Sequence, residues 1–315
     1  MGISSFKTGL MKRSFLAGNV YYGSPIGLFA GGYTGSTSNV IDYVTIATTG
    51  NATDFGDLIA PIYVGAPASS STRGIHAGGY TNERSSVIQY VTFATTGNAV
   101  SFGNLTETMY GMAGCSNNTR GVFHGGTGSG GIINTIDYIT IASTGNATNF
   151  GSGTLLRNTH AGCASSTRGL FGGGRTLSDV RSNVIDYVTI ASTGNATDFG
   201  DLSVTRNSNG GLSSATRGVF LGGDTGSVSN VIDYVTIAST GNATDFGDLT
   251  LARSGGAGCS SLVRGILGGG LTGSYVNTID YITIANTGNA TDFGDLTVAR
   301  GSLIAFSNGH GGLAA

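Results

Sequence analysis

The chain has 315 residues, 39% of them apolar, yet only 10% are charged and the net charge is −2. That apolar share excludes a disordered chain, and a near-neutral balance with only two lysines, Lys7 and Lys12, leaves no basic stripe for nucleic acid. No apolar run approaches the ~20 residues that cross a bilayer, the N-terminus lacks the apolar centre of a signal peptide, and three cysteines without a CxxC pair suggest neither a disulfide framework nor zinc.

In chain order the first feature is residues 5–13, where Phe6 and Arg13 have the spacing of Phe293 and Arg300, so residues 1–13 read as an extra outer strand or arm. Residues 14–300 then repeat nearly the same text six times. The triplet Ile-Asp-Tyr, with Gln for Asp once, begins at Ile41, Ile88, Ile136, Ile185, Ile232 and Ile279, at intervals of 47 to 49 residues. A glycine pair closes an apolar run at Gly31, Gly78, Gly125, Gly173, Gly222 and Gly269. Such a period signals a solenoid or a propeller, and no segment has the 3.6-residue apolar spacing of helices.

Within a unit, NVIDYVTIA is apolar in both alternation phases, as strands buried on both faces are. STGN is a turn cluster, DFGDLTVAR a second strand, GGAGCSS a small-residue strand and RGVFLGG a fourth. Four short antiparallel strands per unit, covered on both faces by neighbours, describe a propeller blade. The expectation is an all-β, six-bladed β-propeller over residues 14–300, with residues 301–315 as a further extra strand or tail. The two ends either latch the ring or dock on a partner.

Taken in order, RGILGGG, IDYITI, FGDLTVAR and RSGGAGCSS resemble the kelch repeat, in which an apolar strand ends in Gly-Gly, a variable loop follows, and a strand carries a central Tyr. An outer strand with an aromatic and an Arg leading into a Gly-containing inner strand complete it. The chain departs from kelch at the outer aromatic, usually Trp there, by using Phe55, Phe102, Phe150, Phe199, Phe246 and Phe293. Its Gly/Thr/Ser-rich, near-verbatim repeats are also similar to predicted structural proteins of marine tailed bacteriophages. That resemblance implies a tail- or fibre-associated virion protein, made in the host cytoplasm. Its partners would be other virion proteins or a host surface glycan, with no nucleic acid and no membrane insertion. A cellular lectin-like or adaptor kelch propeller is the alternative, and a galactose-oxidase-like enzyme the third reading.

With strands lettered A to D from the axis outward, the B–C and D–A connections emerge on one face and the A–B and C–D connections on the other. The C–D turns are nearly constant, whereas the B–C loops at 33–39, 80–86, 127–134, 175–183, 224–230 and 271–277 differ, as do the early D–A connections. Diversity on one face of a repeated scaffold marks a binding surface. Its candidate residues are Tyr33, Tyr63, Tyr80, Tyr110 and Tyr275, suited to stacking on a sugar or anchoring a protein. Asn82, Glu83, Arg84, Arg175, Asp179, Arg181 and Asp224 come from the same loops.

The remaining charges repeat with the scaffold. Because a buried charge needs a partner, each B-strand Arg is expected to pair with the Asp of the following blade: Arg73 with Asp137, Arg120 with Asp186, Arg168 with Asp233, Arg217 with Asp280, and Arg264 with Asp42. The paired carboxylates of DFGD supply too few oxygens for calcium, and turn capping accounts for them. Five Asn-Ala-Thr sequons, from Asn51, Asn146, Asn195, Asn242 and Asn289, read as turns. No catalytic set, metal site or cofactor is expected.

Overall fold

The computed structural model describes residues 24–314. The fold is a six-bladed β-propeller. Each blade is one antiparallel four-stranded sheet in the order A-B-C-D. Blade 2 shows the pattern, with Ala66–Ser69, Arg73–Tyr80, Arg84–Thr92 and Val100–Asn104 as strands A to D. Blade 3 comprises Ala113–Ser116, Arg120–Gly128, Gly131–Thr140 and Thr148–Ser152. Blade 4 comprises Ala161–Ala164, Arg168–Gly172, Val184–Thr189 and Thr197–Asp201. Blade 5 runs from Gly210 to Asp248 and blade 6 from Ala257 to Asp295.

Blade 1 is assembled from both ends of the described chain. Its B, C and D strands are Ile26–Ala30, Val40–Thr45 and Thr53–Asp57, while its A strand is Ile304–Ser307. Phe29 pairs with Ala305 and Leu28 with Phe306. The segment after Arg300 is therefore the inner strand of the first blade. The expected extra strand in residues 1–13 lies outside the described residues.

The core is divided among the blade interfaces, because each strand is apolar on both faces and a single sheet has nothing to cover them. Between blades 4 and 5, Leu170, Ile185 and Phe199 meet Phe220, Val235 and Ile237, all buried. Burying each such side chain contributes roughly 1.5–3 kcal/mol. At the rim of every blade the C-strand Tyr meets the D-strand Phe edge-on, with centroids 5.8–6.2 Å apart. Phe therefore fills the outer-strand aromatic position.

The constant turn is a clasp between blades. Asn51, Asn98, Asn146, Asn195, Asn242 and Asn289 each accept, through Oδ1, a backbone N–H from the D strand of the preceding blade at 3.0–3.1 Å. Beside each Asn, the turn's Gly and Ala N–H groups donate to carbonyls of that same strand, as Gly97 does to Phe55 and Ala99 to Asp57. The turn lies so close that a Cβ on Gly56 would come 2.5 Å from the Gly97 carbonyl oxygen. TGN and the Gly of DFGD therefore repeat together: one packs on the other. The DFGD segments lie in the D strands, as the strand reading of DFGDLTVAR expects.

The Arg–Asp pairing differs from the expectation. Arg73, Arg120, Arg168, Arg217 and Arg264 lie over the C-strand Tyr of their own blades, 4.5–4.7 Å from the ring centroids. Each then donates to a carbonyl of the next blade, Arg168 to Ala238 at 2.9 Å and Arg264 to Ala47 at 2.8 Å among them. The Asp carboxylates are taken by a second arginine series in the D–A linkers, which sequence reasoning treated as part of the strand pattern. Arg206 pairs with Asp233 at 2.8 Å, Arg253 with Asp280 at 3.1 Å, Arg300 with Asp42 at 2.8 Å, and Arg157 with Asp186, all buried. A linker Thr or Ser completes each carboxylate, as Ser203 does for Asp233.

Two linkers lack this Arg. Ile62 stands there before blade 2, whose Asp is replaced by Gln89, and the Gln89 Oε1 accepts the Ile59 N–H at 2.8 Å. Met109 stands there before blade 3, leaving Asp137 to the N–H and hydroxyl of Thr106. Burial then raises the Asp137 pKa above the usual carboxylate value, against the opposing Thr106 hydrogen bonds.

At the axis the inner strands lie backbone against backbone, and a Cβ on Gly211 would meet the Gly162 carbonyl oxygen at 2.4 Å. The last inner-strand residue is Ser in five blades and Ala164 in blade 4. Four of the serines, Ser116, Ser213, Ser260 and Ser307, donate to the carbonyl of the corresponding residue one blade back, Ser213 to Ala164 at 2.7 Å. Ser69 completes the seam by donating to Ser307.

Candidate functional site

The variable face is built on a backbone ring. Two residues before the start of each A strand stands a left-handed residue: Val64, Gly111, Thr159, Ser208, Gly255 and Ser302, with φ between 50° and 69°. Each donates its N–H to the carbonyl of the preceding member at 2.6–2.9 Å, and Val64 closes the circle on Ser302. Left-handed backbone at a β-branched residue such as Val64 is strained. Six consecutive hydrogen bonds hold it and turn every linker to the same angle.

That angle projects the next shell of residues. Tyr63 and Tyr110 precede two of the ring members. Tyr63 exchanges backbone hydrogen bonds with Tyr80 at 3.1 and 2.9 Å, and Tyr33 does the same with Gly301 at 2.8 and 3.0 Å. Each B–C loop is thereby tied to the linker entering its own blade.

All five tyrosines expected on this face form one arc. Tyr275, Tyr33, Tyr63, Tyr80 and Tyr110 follow one another with centroid separations of 5.9, 5.2, 5.8 and 5.2 Å, tilted or edge-on. Each ring is half-buried. Burial, and then the neighbouring phenols, raise the Tyr63 pKa above its ordinary value, so its hydroxyl stays a neutral donor and acceptor. At the blade 2–3 end the arc walls an open hollow of about 480 Å³, which Asn82, Glu83 and Arg84 rim. Thr108, absent from the expected set, also lines it; a D–A residue opposite a B–C tip carried no signal of its own.

The other four expected residues lie apart from the arc, on blades 4 and 5, and satisfy one another. Arg175 pairs with Asp179 at 2.7 Å and Arg181 with Asp224 at 2.8 Å. Burial alone would raise the Asp224 pKa. The Arg181 hydrogen bond, the Gly226 N–H and the nearby guanidinium groups outweigh it and hold the carboxyl below its usual range. The face thus has an aromatic half and an ion-paired half.

The buried histidines serve the scaffold. His124 Nδ1 lies 2.8 Å from His160 Nε2, its ring stacks on Phe171, and its Nε2 is 3.5 Å from Asp186. Burial lowers the pKa of both imidazoles, more strongly for His160. The room for His124 comes from Gly153, where a Cβ would meet its Nε2 at 2.3 Å. Five other repeats carry Leu at that linker position, so the exchange was the one sequence signal for this pair. The thiols of Cys115, Cys163 and Cys259 are buried, and burial pushes Cys163 up to about 12, far from a reactive thiolate.

His76 supplies a pH test. It stands where other blades carry Phe or Leu, and burial lowers its pKa to about 4. The unfolded imidazole titrates near ~6.5. The folded pKa is depressed, so the contribution of the neutral ring is complete above pH ~6.5 and is lost as pH falls towards 4, by about 3 kcal/mol. Urea denaturation of His76→Phe at pH 7 and 4.5 is expected to show a markedly smaller loss than the parent chain. An equal loss would show that His76 does not carry the acid sensitivity.

No family model matches the chain, and no curated protein does either.

Proposed function

We propose that this chain is a non-enzymatic adhesion or structural protein of a bacteriophage virion, tail- or fibre-associated. Its B–C and D–A face would contact a host surface glycan or another virion protein. The observation that carries the reading is the tyrosine arc. Five aromatic side chains converge on the one face where the repeats diverge, each held by backbone pairs. Packing explains residues that recur in every blade. It does not explain tyrosines confined to four consecutive blade positions and left half exposed. Half-buried aromatics on a rigid support are what recognition surfaces use.

The resemblance of the Gly/Thr/Ser-rich, near-verbatim repeats to predicted structural proteins of tailed bacteriophages supports the virion assignment. A non-enzymatic role is supported by the pairing of the buried charges of blades 3 and 4: His124, Arg157 and Asp186 are fully buried and engaged with one another.

The test is binding of the labelled chain to marine bacterial cells and to purified virion proteins, alongside Tyr80→Ala/Tyr110→Ala. Saturable binding that weakens about tenfold or more in the double variant, at unchanged Tm, is the expected result. Binding that the double variant retains in full would remove the face from the reading.

A further inference from the structure

We propose that the hollow at the blade 2–3 end of the arc is a saccharide site whose ligand is a neutral pyranose unit. The inference rests on the binding-face reading above and names the ligand class of that face.

The hollow, about 480 Å³, has the size of a small-ligand site. Its walls are Tyr63, Tyr80 and Tyr110, whose rings turn by 77° and 65° from one to the next. A ligand there meets both ring faces and ring edges. The C–H face of a pyranose is apolar and slightly positive, so it packs on the negative face of an aromatic ring while its hydroxyls point to the rim.

The rim suits those hydroxyls. Glu83 only accepts hydrogen bonds, Arg84 only donates, and Asn82 does both. All three are exposed, and neither Glu83 nor Arg84 has an ion-pair partner among the described residues. Arg84 lines the same hollow and lies over the Tyr110 ring, 5.9 Å from its centroid. One negative and one positive rim group side by side favour a ligand without net charge, because an anionic sugar would meet Glu83 as closely as Arg84. A peptide strand finds no free backbone edge there: Tyr80 is already paired to Tyr63 and Arg84.

The site is built before the ligand arrives. The B and C strands of blade 2 extend to Tyr80 and Arg84, beyond their counterparts in blades 1, 4, 5 and 6. Thr81 and Glu83 close the tip through the Thr81 N–H to the Glu83 carbonyl, at 3.1 Å. Little backbone ordering is left to oppose binding.

The experiment is saturation-transfer NMR and calorimetry on the full chain with maltose, cellobiose, lactose and mannobiose, with sodium glucuronate as the acidic arm. At least one neutral disaccharide is expected to bind saturably, and Tyr110→Ala and Glu83→Gln each to weaken it about tenfold or more. Leu262→Ser, exposed on the opposite face, is expected to bind as the parent does. Glu83→Gln alters an exposed tip and keeps the test sound if Tyr110→Ala fails to fold. The inference is overturned if no neutral disaccharide saturates by roughly 10 mM, if glucuronate alone binds, or if Glu83→Gln binds undiminished. Should cells still bind through Tyr80 and Tyr110 while every neutral sugar fails, only this inference falls. Should cell binding ignore the tyrosines, the binding-face reading falls with it.

Discussion

Replacing Arg206 with isoleucine is expected to destabilise the chain by about 3–5 kcal/mol, because Asp233 would stay buried without its cation. The repeats supply the compensating change. Before blade 2 the same two positions are Ile62 and Gln89, with the Gln oxygen taking the linker N–H that the Asp carboxylate takes elsewhere. The double variant Arg206→Ile/Asp233→Gln is therefore expected to recover most of the loss, giving a coupling energy of about 2 kcal/mol or more in a denaturation cycle. Additive losses would mean that the pair contributes nothing as a pair. Asp137→Asn is the contrasting case. Among the described residues Asp137 pairs with no arginine and is held by Thr106 alone, so the substitution breaks no ion pair and is expected to cost less than Arg206→Ile, about 1–3 kcal/mol.

A chain ending at Arg300 is expected not to fold as a stable monomer. It lacks the inner strand of blade 1, and with it the buried Leu303, Ile304 and Phe306. At roughly 1.5–3 kcal/mol for each large side chain, plus an unpaired inner edge on Ile26–Ala30, the loss reaches the 5–15 kcal/mol that holds a typical domain together. The bond from the Ile26 N–H to Asn308 and the serine contact across the seam go with it. Circular dichroism melts of the truncated chain, with and without a peptide of residues 301–315, provide the check. Recovery of the parent melt on adding the peptide is the expected result. A truncated chain melting within a few degrees of the parent would show that the ring closes without this strand.

Blade number, strand order and the sharing of loops between two faces were legible in the sequence, because period and alternation are local properties that every copy states again. The tyrosine set followed from the same source. Once strands alternate in direction, loop identity assigns the face, and Tyr33, Tyr63, Tyr80, Tyr110 and Tyr275 fall together.

Partner choice was not legible where two residue series share one period. The B-strand arginines and the linker arginines recur in step with the same aspartates, and both series are interrupted near blade 2, the first at Ile26 and the second at Ile62 and Met109. Gln89 matched either gap. Only the packed ring shows that the linker guanidinium reaches the carboxylate, while the B-strand guanidinium is held over tyrosine. Likewise TGN reads as a turn within its own blade, and its Asn serves the blade before it.

What the sequence by itself determined is the number of blades and what each must bury, since six near-identical segments with two apolar faces can only cover one another. The tertiary structure alone decided which buried charges meet, which end of the chain completes blade 1, and that the five tyrosines expected on one face touch ring to ring in a single arc. Those are contacts between copies, and a repeat says what each copy carries without saying which neighbour receives it.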